Sequence, residues 1–130
     1  MPCRIKKSKK SPWLNSPWSE NKIQMYVATH SHRDGYLFHA DGNGNFLHGA
    51  TASKKKLMGS RAGWPDLCFV LDGRIVWIEL KAKAGSVSEA QRRLHEAMKA
   101  RGCEVHVVKA VDGPSAWEKI KGILDNGARP

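Results

Sequence analysis

No stretch of this chain approaches the roughly 18 consecutive apolar residues that a membrane-spanning helix requires, so no membrane partner is expected. The basic N-terminus lacks the apolar centre of a secretory signal, which argues against export. Cysteine is scarce. Cys3, Cys68 and Cys103 are odd in number and unevenly spaced, and no pair has the spacing of a structural zinc site. Cys68 and Cys103 sit within apolar runs, the pattern of buried free thiols in a reducing, cytoplasmic compartment. Acids are also few, 12 against 22 Lys and Arg, leaving a formal charge of +10 on 130 residues. Such an excess, on a length suited to one domain with a modest core, points to a polyanion, of which nucleic acid is the commonest. A merely soluble basic protein is the bland alternative.

Residues 1–18 carry Arg4, Lys6, Lys7, Lys9 and Lys10 among Pro2, Pro12 and Pro17, with little periodicity. They read as a flexible basic arm able to contact phosphates, preceding a single domain over 19–130. Ser19 is placed to cap a helix starting at Glu20, with Ile23, Tyr26 and Val27 as its apolar stripe. Residues 36–39 and 46–48 read as short strands around the turn-rich segment 41–45. A short basic helix over 52–58, ended by Gly59, presents Lys54, Lys55 and Lys56. With Arg61 these form an expected phosphate-binding face, a merely solvated helix being the alternative. Ser86-Val87-Ser88-Glu89 has capping-box spacing and opens a helix that buries Val87, Ala90, Leu94, Ala97 and Met98, with Gly102 at its end. Residues 103–108 read as a strand and 114–124 as a last helix. His30, His32, His39 and His48 read as surface or phosphate-contacting groups rather than metal ligands. Trp77 and Trp117 read as core, and Trp64 either as a base-stacking ring or as packing under its loop.

The most informative pattern lies between Asp66 and Lys81. Residues 66–71 and 74–81 each read as a strand, and Asp72-Gly73 between them best fits a tight hairpin turn with positive φ angles. A two-residue turn pairs Leu71 with Arg74 and, continuing the ladder, sets Asp66 opposite Glu79. Side chains alternate with period two, so Lys81 shares the face of Glu79. The second strand is apolar on both faces and is expected to be central and covered on both sides. Two carboxylates facing each other weaken a sheet unless a cation lies between them. Asp66 and Glu79 are hard oxygen donors suited to Mg²⁺ or Mn²⁺, and the Leu80 carbonyl can add a third protein ligand. Lys81 can position an attacking water or offset phosphate charge. Flanking carboxylates stabilise its ammonium form, so these roles suit it better than acting alone as a base. A surface salt-bridge cluster is the competing reading of the three side chains.

Gly63-Trp64-Pro65-Asp66 followed by Ile78-Glu79-Leu80-Lys81 resembles the PD-(D/E)XK nuclease motif, and more closely its VRR-NUC branch, the virus-type replication-repair nucleases. In that branch a glutamate-bearing helix comes first, matched here by Glu20 and Gln24. A glycine-rich approach follows, matched by Gly59 and Gly63, and a Gln-bearing helix comes after the Glu-x-Lys, matched by Gln91. The likeness spans roughly residues 19–108. It implies an α/β, restriction-endonuclease-like core with a mixed central sheet flanked by helices, and Mg²⁺-dependent hydrolysis of DNA with Mn²⁺ able to substitute. It implies Asp66 and Glu79 as metal ligands, Lys81 as the catalytic lysine, Glu20 as a further acid and Gln91 lining the site. Minimal members of the branch are similar to Holliday junction resolvases and act as homodimers, which implies branched DNA as substrate and, for a virus-type branch, a phage-encoded protein. A first-turn acid favoured by the helix dipole is the plain reading of Glu20, and a half-exposed helix residue that of Gln91. A non-catalytic DNA-binding module that kept the fold, or a protein directed at RNA, are the rival functions; no paired strand aromatics of the RNA-binding kind are present.

Overall fold

The computed structural model describes residues 16–41, 53, 54 and 56–126. Most of the basic arm, the expected strand over 46–48 with the turn before it, and Lys55 lie outside that set. The elements are α1 (Glu20–Arg33), β1 (Leu37–Ala40), β2 (Leu67–Leu71), β3 (Arg74–Ala82), α2 (Glu89–Ala100), β4 (Glu104–Ala110) and α3 (Gly113–Asn126). The sheet order is β1-β2-β3-β4, antiparallel at the first two junctions and parallel between β3 and β4. The parallel pair is the strand–helix–strand crossover implied by the element order, and the mixed sheet is the expected one. Among the described residues no helix is long and apolar enough to cross a membrane.

The hairpin register agrees with the two-residue turn: Leu71 pairs with Arg74, and the ladder runs on to Leu67 and Ile78. Two details differ from expectation. Only Gly73 takes a positive φ, 67°, while Asp72 does not; the left-handed position falls on the residue with no Cβ to clash. Asp66 also lies one residue before β2 begins, so it continues the register without being part of the ladder.

Alternation along β3 divides the molecule. Val76, Ile78 and Leu80 point to one face, where they pack with Leu67, Phe69, Val108, α1 residues Ile23 and Val27, and α3 residues Trp117, Ile120 and Leu124. Trp77, Glu79 and Lys81 point to the other, which α2 covers. There the buried apolar cluster among the described residues is Leu94, Met98 and Val105, with Trp64, Trp77 and Cys103 packed against it. A fully buried large apolar side chain contributes roughly 1.5–3 kcal/mol, so the larger α1/α3 face carries most of the stability. Ile75 is exposed, and β3 is therefore covered on both sides only beyond its first turn-proximal residues. Cys68 and Cys103 are free and half-buried rather than fully buried.

Helix α2 begins at Glu89 rather than after Ser86. Ser88 is the cap: its Oγ accepts from the Gln91 amide (3.1 Å), and Gln91 Oε1 accepts from the Ser88 amide (2.9 Å). Glu89, the acid suggested for the box, instead pairs with Arg92 and Arg93 on the surface. Val87 falls outside the helix and Ala90 is exposed, their places in the stripe being taken by His95. The Gly102 and Cys103 amides close the far end on the Lys99 and Met98 carbonyls (2.9 and 3.0 Å). His30 is not a surface group: it stacks on Tyr26 at 3.9 Å between centroids, half-buried between α1 and α3. His32 and His39 are exposed.

Arg74, just after the turn, ties the far ends together. It donates to both Glu104 oxygens (2.8 and 2.7 Å) and to the Ile123 and Leu124 carbonyls at the end of α3 (2.9 Å each). The Arg74 hydrogen bonds, opposed by burial and aided by His106, hold the Glu104 carboxyl at about 2. Because this lies below the ordinary 4.5, the contribution is complete above that pH and is lost as pH falls toward 2. Glu104 is about one-third exposed, so screening limits the effect to about 1 kcal/mol. Arg74→Met is expected to lower stability at neutral pH and to flatten its decline between pH 4.5 and 2, read by urea unfolding at stepped pH. An unaltered acid limb in the variant would show that the pair does not set it.

Candidate active site

The approach to the site is a close one. Gly63 has φ 90°, and a Cβ there would lie 3.1 Å from the Ala90 carbonyl oxygen of α2, so only glycine fits without a shift. Trp64 then packs edge-on against Trp77, centroids 5.6 Å apart; of its two readings, this is packing under the loop. Pro65 is fully buried. Asp66 follows, its carbonyl accepting from the Asp41 amide (2.8 Å) and its Oδ2 from the Leu80 amide (2.7 Å). A strand residue directs its N–H and C=O to the same edge, so the Leu80 carbonyl leaves β3 on the Asp66 side.

Glu79 is 1 % exposed. Its Oε2 accepts from Gln91 Nε2 (2.8 Å) and lies 3.4 Å from Lys81 Nζ. Its Oε1 lies 3.8 Å from His95 Nε2, and both atoms are buried with no hydrogen-bond partner among the described residues. Lys81 Nζ is also 3.9 Å from Glu20 Oε2. Glu20 reaches it from the first turn of α1, and Gly85 leaves room, since a Cβ there would sit 3.3 Å from the same oxygen. Asp66, Glu79, Leu80, Lys81, Glu20 and Gln91 thus come together as the sequence suggested. Lys54, Lys56 and Arg61 are exposed on the segment before Gly63 and touch none of these groups, while Lys55 is outside the described residues.

His95 was not anticipated. It is one helical turn after Gln91, a spacing that puts the two on one helix face and would have flagged it. Burial, then the charges of Lys99 and Lys81, lower its pKa against a hydrogen bond to the Gly63 backbone that raises it. The imidazole thus lies between the glycine approach and Glu79.

The electrostatics describe a site short of positive charge. Burial, with the Asp66 charge second, pushes the Glu79 carboxyl up to about 7 against the lowering effect of Lys81. Burial also raises Asp66, against the Leu80 amide bond that lowers it. No group of three or more His, Cys, Asp or Glu side chains is arranged for a metal among the described residues. The protein donors on offer are two carboxylates and the Leu80 carbonyl, a partial set of hard oxygens of the kind Mg²⁺ completes with water and phosphate.

Residues 18–112 match the family model for the VRR-NUC domain. The chain belongs to the VRR-NUC family. Two solved structures share the fold. One, described as a VRR_NUC domain protein, is 23 % identical with a TM-score of 0.63, covering 81 % of this chain and 87 % of its own. The other, described as a VRR_NUC domain, is 24 % identical with a TM-score of 0.54, covering 78 % and 94 %. None of the curated proteins matches the chain. The VRR-NUC membership makes this a nuclease-family protein with the mixed α/β fold that the resemblance had implied.

The raised Glu79 pKa has a measurable consequence. With the folded carboxyl near 7 and the unfolded one near 4.5, its contribution is complete below pH 4.5 and lost as pH rises through 7. In EDTA, melting temperature is expected to fall between pH 5.5 and 8, and Glu79→Gln to remove most of that fall. A Glu79→Gln profile parallel to wild type would mean that Glu79 is already ionised at pH 5.5.

Proposed function

We propose that this VRR-NUC protein is a divalent-metal-dependent DNA endonuclease, selective for branched DNA such as four-way junctions. The observation that supports it most is the charge imbalance around Glu79. Two adjacent carboxylates are both driven toward protonation, and one buried carboxylate oxygen has no partner among the described residues. Asp66, Glu79 and the Leu80 carbonyl would hold Mg²⁺, or Mn²⁺ in its place. When bound, such an ion polarises the phosphoryl oxygen and acidifies water.

The chain's own groups have distinct tasks in this reading. Gln91 and Lys81 fix the rotamer of Glu79 through one oxygen, leaving the other free. The Leu80 amide fixes Asp66 in the same way. Lys81, held between Glu79 and Glu20, orients the water that attacks in line and faces the charge that builds on the phosphate. The products are a 5′-phosphate and a 3′-hydroxyl. Lys54, Lys55, Lys56 and Arg61 hold backbone phosphates ahead of the site. A homodimer would place two sites for paired cuts across a junction.

The rival is a non-catalytic DNA-binding module. Buried acids aimed at a phosphate would weaken such a binder, and Lys81 offsets them only in part. Labelled four-way junction, flap, duplex and single-stranded DNA, incubated with Mg²⁺, Mn²⁺ or EDTA, separates the two. Metal-dependent cleavage of the branched substrates is expected. Lys81→Ala should lower its rate by about 10²–10³-fold with affinity within a few fold, and Glu79→Ala should abolish it. Tight binding with no cleavage under any metal would make the protein a binding module.

A further inference from the structure

Beyond the basic face ahead of the site, a second group of cations lies around the ends of β3 and β4. Lys83, Lys109 and Lys119, with Ser115, Ala110 and Val111, line a cavity of about 300 Å³. The parallel register places it: Lys109 is the β4 partner of Lys81, and Ala110 that of Ala82. Adjacent strands are about 4.8 Å apart and paired residues share a face, so Lys109 extends the line of Lys81 outward. Val107, the partner of Glu79, is exposed, so this part of the sheet is left open to solvent among the described residues.

What marks these lysines is that three of them converge on one cavity with no described carboxylate to neutralise them. Arg74, Lys81, Arg92, Arg93 and Lys121 each have a carboxylate partner. Lys83 and Lys109 form no ion pair with a described residue, and Lys119 donates only to the Lys109 carbonyl (2.7 Å). Among the described residues no carboxylate lines the cavity. The nearest acids in sequence are engaged elsewhere: Asp112 at the start of α3, where its Oδ1 accepts from the Ser115 amide (2.9 Å), and Glu118 with Lys121 (3.5 Å). Three like charges around one cavity repel one another, and an anion between them relieves that repulsion.

We propose that this cavity binds a backbone phosphate of the DNA substrate on the β4 side of Lys81, across β3 from β2 and Asp66. This rests on the DNA reading of the site, and the outcomes below separate the two. Binding of the full-length chain to labelled duplex and four-way junction is followed by anisotropy in EDTA over a range of KCl concentrations. Wild type is compared with the triple Lys83→Ala, Lys109→Ala, Lys119→Ala variant, with the matching triple Lys→Arg variant, and with Lys99→Ala in the last turn of α2.

Each phosphate that the protein ceases to neutralise should reduce the slope of log K against log salt by about 0.9 on duplex DNA. The alanine triple is expected to flatten the slope by about one to three such steps, while the arginine triple and Lys99→Ala keep the wild-type slope. With metal, the alanine triple should need more DNA for half-maximal rate while its rate at saturation changes less than twofold. A wild-type slope in the alanine triple would overturn the cavity as a phosphate site and leave the nuclease reading intact. An equal flattening in Lys99→Ala would overturn it too, since the effect would then be one of net charge. Absence of salt-dependent binding by wild type would overturn both.

Discussion

Removing two carboxylates and an ammonium from water is the constraint on which this fold turns. Each such ion carries a penalty of several kcal/mol unless hydrogen bonds and opposite charge return it. The protein supplies those bonds from three directions: the Leu80 amide to Asp66, Gln91 and Lys81 to Glu79, and Glu20 to Lys81. The supply is incomplete. Glu79 Oε1 and His95 Nε2 are left facing each other, and both acids are shifted toward their neutral forms. That deficit is tolerable because the large apolar face of β3 is a different face.

β3 and α2 are where the two functions of the sequence meet. Ile78 and Leu80 bury themselves against α1 and α3, and the residues between and after them, Glu79 and Lys81, are turned by the same backbone toward α2. Gln91 contributes twice, through its oxygen to the Ser88 amide and through its nitrogen to Glu79. The start of α2 and the rotamer of Glu79 are therefore one hydrogen-bonded unit. A substitution at Gln91 would disturb both.

Much of this is legible in the chain itself. Asp72-Gly73 determines the hairpin register, and period-two alternation then places Glu79 and Lys81 on one face with Asp66 at the ladder's end. Ser19 before Glu20 marks the start of α1. What escapes such reading depends on competition between near-equal local choices. Ser86 and Ser88 both precede an acid or amide at capping distance, and only the pairing of Glu89 with Arg92 and Arg93 leaves Gln91 to complete the box at Ser88. His95 sits between Leu94 and Met98, where its polarity conceals that it is buried. The contribution of Glu20 needs the third dimension, because α1 lies on the opposite face of the sheet from α2 and only its first turn reaches Lys81.

The thin apolar layer beneath α2 also bears on motion. Where few apolar groups hold an element down, it can detach while the rest of the domain stays folded. Leu94, Met98 and Val105 hold α2, against the much larger cluster that holds α1 and α3. A transient lifting of α2 would withdraw Gln91 and His95 together and let water reach Glu79. The acid would then regain its hydration and its charge at neutral pH. The protonation of the buried acid is thus tied to the seating of α2 on the sheet.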